Sequence, residues 1–358
     1  MKDLIKPKAL KEGDKVAVVS LSWGGASVFN ERYNASKSQF EKTFKVKIIE
    51  APNALKSEEE LYQNPKLRLD DLMWAFKNKE IKAVLASIGG DDTIRLLSLM
   101  KKKHFDVIRN NPKIFLGMSD TTVNHFMCFK AGLRSFYSAC LMFGYGETGG
   151  VPDCMIQNTK KTLCSAEPIG VLTESDFFIV DLVDWKRKDH PMRAKTKASS
   201  WRYIGKQEKV QGPLIGGCME LFQFMNGTSL WPKKSEWDGA ILFLETSEER
   251  PSPKMLLYMM RNLGAQGILK KLKGILFARP GGEFFENESK LKEEYLSSYS
   301  QYDEVLLKAL KEFDVDIPVV TNMDFGHTVP QVILPYGALC EIDPKKKQVS
   351  ILDAGVTE

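Results

Sequence analysis

The chain has 358 residues and is 43% hydrophobic, more than one domain of ordinary size needs for its core, so two domains are expected. Its 51 Lys and Arg against 46 Asp and Glu leave a formal charge of +5, too mild over this length to argue for a nucleic-acid partner. No apolar run approaches the roughly 18 residues that span a bilayer, and the charged first stretch lacks the apolar core of a secretory signal, so a soluble, cytoplasmic protein without a membrane partner is expected.

In chain order, short β-branched runs alternate with amphipathic stretches: a strand over 16–20, a helix over 29–44, a strand over 46–50, a charged helical segment over 57–79, a strand over 83–88, a helix near 93–103 and a strand over 113–118. This βαβ rhythm predicts an α/β fold whose N-terminal sheet is mainly parallel and flanked by helices, flavodoxin- or Rossmann-like. Ligands of such sheets bind at the carboxyl ends of the strands, so the loops beginning at Ser20, Gly89 and Ser119 are expected on one rim. Over 166–209 the pattern weakens and charge rises, which reads as a linker and lid between an N-terminal domain over 1–165 and a smaller C-terminal α/β domain over 210–358. In the latter, strands are predicted over 240–245, 274–279 and 318–323, with helices over 253–263 and around 302–313. Two short strands over 332–334 and 349–352, flanking the turn at Lys345, Lys346 and Lys347, add antiparallel pairing. Six cysteines without any C-x-x-C spacing indicate neither a zinc site nor a disulfide framework, and no metal or cofactor is expected.

The segment Gly117-Met-Ser-Asp-Thr-Thr follows an apolar strand and opens a helix that ends near Gly132, placing Ser119 at a strand–turn–helix bend. Such a bend exposes the hydroxyl at the sheet rim and turns the next amide, that of Asp120, toward a developing oxyanion. The second glycine of a G-x-S-x-G elbow is missing, and simple capping of the helix by Ser119 or Asp120 accounts for the same residues. A serine nucleophile needs a base, and the chain has four histidines. His104 follows three lysines and reads as a helix C-terminus, His125 lies inside the helix after Ser119, and His190 sits in the charged lid. His327 stands in a glycine-containing loop directly after a strand and is the best placed. Glu245 ends a run of five apolar residues and is the carboxylate expected to orient an imidazole, whereas Glu248 and Glu249 read as solvated residues at the start of the next helix.

Ser87-Ile-Gly-Gly-Asp-Asp-Thr is a second strand-to-helix turn, whose glycine amides suit an anion or an oxyanion hole completed by Gly90. It also resembles the Gly-Gly-Asp-Gly-Thr loop of NAD kinases and related lipid kinases, with Asp92 in place of the third glycine. In the lid, Trp185 stands with Lys186, Arg187, Lys188, Arg193, Lys195 and Lys197, an aromatic face among cations that suits a nucleobase and its phosphate, or a solvated loop with one packed tryptophan.

Taken in order, Ser-Ile-Gly-Gly-Asp-Asp-Thr, Gly-Met-Ser-Asp-Thr-Thr, Pro-Leu-Ile-Gly-Gly, Leu-Phe-Leu-Glu and Asp-Phe-Gly-His resemble the LD-carboxypeptidase (S66 serine peptidase) family over nearly the whole chain. The resemblance implies a Ser-Glu-His triad of Ser119, Glu245 and His327, with Gly89, Asp91, Gly216 and Gly217 in the matching motifs near the substrate. The long insertion with Trp185 is similar to the microcin C immunity branch, which implies an amide bond of a peptidyl or aminoacyl nucleotide as substrate, Trp185 stacking on the adenine, self-immunity as the role, and pairing as homodimers. Cys218 departs from the polar residue that the family often carries after the two glycines. The alternatives are a murein LD-carboxypeptidase releasing terminal D-alanine, a nucleotide-dependent kinase using the Gly-Gly-Asp-Asp loop, and a two-lobed binding protein.

Overall fold

Parallel strands need crossovers, and the first third of the chain supplies helices for them. The computed structural model describes residues 3–186, 192–285 and 289–358, so Arg187, Lys188 and His190 of the expected lid lie outside the described residues. Strands β1 (Lys15–Val19), β2 (Lys47–Glu50), β3 (Ile81–Ala86), β4 (Ile114–Gly117) and β5 (Phe136–Tyr137) pair in parallel. The helices Asn30–Phe44, Pro65–Lys77, Lys102–Asn110 and Thr122–Ala131 connect them. Val16 to Val19 are all buried, as in a sheet covered on both faces.

Further on come β6 (Gly170–Val171), a small ribbon of β7 (Phe177–Phe178) with β8 (Thr196–Lys197), then β9 (Arg202–Gly205), β10 (Val210–Cys218), β11 (Ile241–Glu245), β12 (Gly274–Ala278), β13 (Pro318–Met323), β14 (Leu334–Pro335), β15 (Leu339–Asp343) and β16 (Gln348–Ile351). The first sheet runs β14-β5-β4-β3-β1-β2 and the second β6-β16-β15-β10-β11-β12-β13-β9. In the second, β10 to β13 are parallel and the flanking pairs antiparallel. The mixed α/β architecture agrees with the expectation. The segment 166–209 is more than a connector, because β6 and β9 form both edges of the second sheet. In turn β14, from the last third of the chain, closes the edge of the first sheet against β5.

Local corrections have local causes. The helical segment 57–79 splits into Glu58–Gln63 and Pro65–Lys77, because Pro65 at the first helical position cannot donate the hydrogen bond that would continue the first helix. Residues 93–103 form a 3-10 turn, Thr93–Leu99, followed by a new helix from Lys102, so His104 and its lysines sit at a helix N-terminus rather than a C-terminus. There His104 Nδ1 accepts the Lys101 amide at 3.1 Å, a capping contact, and partial burial with the neighbouring lysines lowers its pKa. The strand before the lysine turn is β15 rather than 332–334. Among the described residues no helix is long and apolar enough to cross a membrane.

The two sheets meet where the helix Thr122–Ala131 abuts β10. Gly217, at φ +138°, has room for no side chain: a methyl there would lie 2.5 Å from Thr122 Cγ2. Thr122 Oγ1 in turn accepts the Cys218 amide at 3.1 Å. Gly216 is equally crowded, by the Phe243 carbonyl of β11. Gly217 serves the packing between the sheets, which brings the carboxyl ends of β4 and β11 to one place, while Gly216 serves the spacing of β10 and β11 within the second sheet.

Candidate active site

The buried strand β4 delivers its chain into Ser119 at φ +59°, in the left-handed region, where a residue with a side chain is strained by about 1–3 kcal/mol. Ser119 opens a 3-10 turn that leads into the helix Thr122–Ala131, and no side-chain cap starts either element. The capping role considered for Ser119 and Asp120 is therefore not what these residues do. The Asp120 carboxylate is buried and accepts the Thr93 amide at 2.8 Å, pinning the turn that follows the glycine loop, while burial raises its pKa. That loop abuts the bend: a methyl added at Gly89 would lie 3.0 Å from Ser119 Oγ and 3.6 Å from the Asp120 nitrogen.

The second acid of Gly-Gly-Asp-Asp has a structural partner. Asp92 accepts Nη2 of the fully buried Arg68 at 2.9 Å and Nη1 of Arg95 at 2.9 Å, so it faces inward and anchors the loop. Asp91 is exposed and does not line the cavity beside Ser119.

His327 follows β13 and Glu245 ends β11, so the two arrive from strands on either side of β12 in the second sheet. Nδ1 of His327 donates to Glu245 Oε2 at 2.6 Å, and the Tyr137 hydroxyl donates to Glu245 Oε1 at 2.5 Å. Glu245 is fully buried. Burial by itself would lower the His327 pKa, but the charge and hydrogen bond of Glu245, with Glu248 and Glu220 beyond, outweigh it and hold the pKa at about 9. Nε2 faces Glu248 Oε2 at 3.2 Å. No hydrogen bond joins His327 to Ser119 among the described residues, although both line one cavity. The other helical histidine, His125, is closed off: its nitrogens pair with Ser135 Oγ at 2.8 Å and the Gly117 carbonyl at 2.9 Å, and burial lowers its pKa to about 3.

The cavity, of about 310 Å³, is bounded by Ser119, His327, Gly89, Gly90, Trp185 and Glu248. Trp185 is half-buried, edge-on to Phe29 at 5.5 Å, with the Arg32 guanidinium 4.2 Å from its ring centre. Trp23 and Phe29 continue this aromatic wall. Of the residues expected at the substrate, Asp91, Gly216 and Gly217 do not reach the cavity; the two glycines are fixed in sheet packing. Glu248 is solvated as expected, its side chain 55% exposed, but it stands beside the site rather than at the start of the next helix, which begins at Pro253, and its carboxylate faces the imidazole. Tyr137 went unrecognised. It lies in no motif, and its contacts with Ser119 and Glu245 exist only once β5 is laid beside β4 and the second sheet meets the first. Among the described residues no group of three or more His, Cys, Asp or Glu side chains is arranged to hold a metal ion.

Residues 16–138 match the LD-carboxypeptidase N-terminal domain and residues 211–342 the LD-carboxypeptidase C-terminal domain. The chain is 28% identical over 283 residues to the microcin C7 self-immunity protein MccF of Escherichia coli, covering 77% of this chain and 75% of that protein. It is 26% identical over 355 residues to the "Probable murein peptide carboxypeptidase" of Bacillus subtilis, covering 99% and 96% respectively. Its fold superposes with a TM-score of 0.82 on an MccF-like protein from Streptococcus pneumoniae in complex with AMP, at 26% identity over 94% of this chain and 98% of that one.

Proposed function

Because the chain belongs to the LD-carboxypeptidase family of serine peptidases, we propose that Ser119, His327 and Glu245 hydrolyse an amide bond in a peptidyl or aminoacyl nucleotide. Ser119 Oγ bonds to the carbonyl carbon while His327 Nε2 takes its proton. The amides of Asp120 and Gly90 hold the oxyanion, each contributing roughly 3 kcal/mol. The carbon–nitrogen bond then breaks as His327 returns the proton to the leaving nitrogen. Water attacks the acyl-serine in the same manner, restoring the hydroxyl and releasing a carboxylate. Glu245 holds the imidazole in the tautomer with its proton on Nδ1 and stabilises the cation that forms.

The observation that carries this reading is the Glu245–His327 pair at 2.6 Å, with His327 on the wall of the cavity that the strained Ser119 also lines. The nucleotide is supported by the Trp185–Phe29 wall and by the similarity to a protein whose structure holds AMP. Hydrolysis of such compounds would detoxify them. The Bacillus subtilis relative supports a second reading, release of terminal D-alanine from a murein tetrapeptide by the same three groups. Incubation with an aminoacyl sulfamoyl adenosine and with murein tetrapeptide, read by mass spectrometry, separates the two. Ser119→Ala is expected to keep its circular dichroism and lose at least about 10³ of turnover. Undiminished hydrolysis by that variant would refute the proposal.

A further inference from the structure

The nitrogen of His327 that must receive the Ser119 proton already has a partner. Nε2 lies 3.2 Å from Glu248 Oε2 while Nδ1 lies 2.6 Å from Glu245 Oε2, so the ring stands between two carboxylates. Held this way the imidazole is stabilised as a cation, and a cation is no base. Glu245 is buried and fixed from its other side by Tyr137. Glu248 has a side chain 55% exposed, on the loop after β11, and is free to turn away. The base is released when something draws Glu248 off.

The charges lining the same cavity decide what that can be. Among the described residues, and apart from His327, they are Glu248, Asp184 and Arg193. Arg193 is committed elsewhere: its Nε donates to Glu147 Oε2 at 2.8 Å and its Nη1 to the Asp181 carbonyl at 3.2 Å. Asp184 is exposed. Among the described residues the uncommitted charge facing an incoming acyl group is therefore negative. A cationic side chain next to the scissile carbonyl pairs with Glu248 and leaves Nε2 free for Ser119. An acidic one meets like charge and leaves the Glu248–His327 pair intact.

We propose that Glu248 is the specificity-determining residue on the acyl side, coupling the binding of an acyl group with a cationic side chain to release of the His327 base. This rests on the hydrolase reading above and names its substrate class.

Lysyl- and aspartyl-sulfamoyl adenosine, identical but for the side-chain charge, test it. In the Ser119→Ala background, where binding is read by calorimetry without turnover, the lysyl compound is expected to bind about tenfold more tightly, the scale of one charge-assisted hydrogen bond. Adding Glu248→Gln should abolish that preference, and adding Glu248→Arg should reverse it. In the wild type kcat/KM should follow the same order. Equal affinity for the two compounds, or a preference that survives Glu248→Gln, overturns the assignment. Should the preference hold while the wild type turns over neither compound, Glu248 keeps its role and the hydrolase reading falls. If neither compound binds, both fall.

Discussion

The Tyr137 hydroxyl donates to Glu245 Oε1 at 2.5 Å, and the same oxygen accepts the Ser119 amide at 3.0 Å. One side chain from β5 thereby links the backbone of the serine to the carboxylate behind the imidazole, across the junction of the two sheets.

Removing that hydroxyl leaves a buried carboxylate oxygen and a backbone amide each short of a partner. Tyr137→Phe is expected to cost about 1–3 kcal/mol of stability, measured by denaturant unfolding. It should also lower kcat at least tenfold, roughly 1.4 kcal/mol, while KM holds, since the tyrosine lies behind the reacting groups rather than beside the substrate. A rise in KM at constant kcat would contradict this positioning role.

The pH dependence follows from His327. Its pKa is raised from 6.5 to about 9, and the base must be neutral, so kcat/KM should climb through neutral pH with a midpoint near 9. Glu245, Glu248 and Glu220 are the carboxylates that favour the cation, so Glu248→Gln should move the midpoint down. The corresponding stabilisation of the fold has the opposite sense: it is complete below 6.5 and is lost as pH rises through about 9. A midpoint at 6.5 in the wild type would show that the carboxylates do not govern the imidazole.

Gly326 precedes the histidine at φ +81°, and a methyl there would lie 2.6 Å from Glu245 Cβ and 2.7 Å from its Oε2. Gly326→Ala should displace the carboxylate from Nδ1 and reduce kcat by about 10²-fold, as ångström-scale misplacement does. Steady-state kinetics beside a thermal melt checks it, and full activity in a folded variant would count against Glu245 as the orienting group.

Trp185→Ala should weaken AMP binding by about 1–3 kcal/mol, the range for one base stacked on one aromatic ring, with little effect on a murein tetrapeptide. Calorimetry with AMP decides it. Unchanged affinity would remove the nucleobase from this wall.

Much of the frame was legible because it is periodic. Buried parallel strands are continuous apolar runs, and β13 spans the predicted 318–323 while β11 ends on Glu245 as expected. The bend at Ser119 was visible as a strand running through a glycine into a helix, and the Gly132 stop stands as the helix C-cap at φ +86°. What failed was read from too short a window. The lysines before His104 looked like a helix end, yet whether a helix ends or starts there depends on the turn at Thr93–Leu99, which is tied down by Asp120 from the turn after β4. The resemblance put Gly216 and Gly217 near the substrate, whereas their lack of side chains answers to Thr122 and Phe243.

By itself, the sequence determined the alternation of strands and helices, the strand–turn–helix bend that lifts a serine above the sheet, and the few imidazoles and carboxylates eligible to join it. Only the tertiary structure decided which of these meet. Glu245 and His327 are 82 residues apart, and Tyr137 is a further 108 from Glu245. No local pattern encodes such distances. They close because two sheets, each specified by its own buried strands, pack through Gly217, which lets the carboxyl ends of their strands converge. Glu248 shows the same cause from the other side: its charge was plain, but its place over the imidazole was set by the path of a loop, which depends on what the rest of the chain leaves beside it.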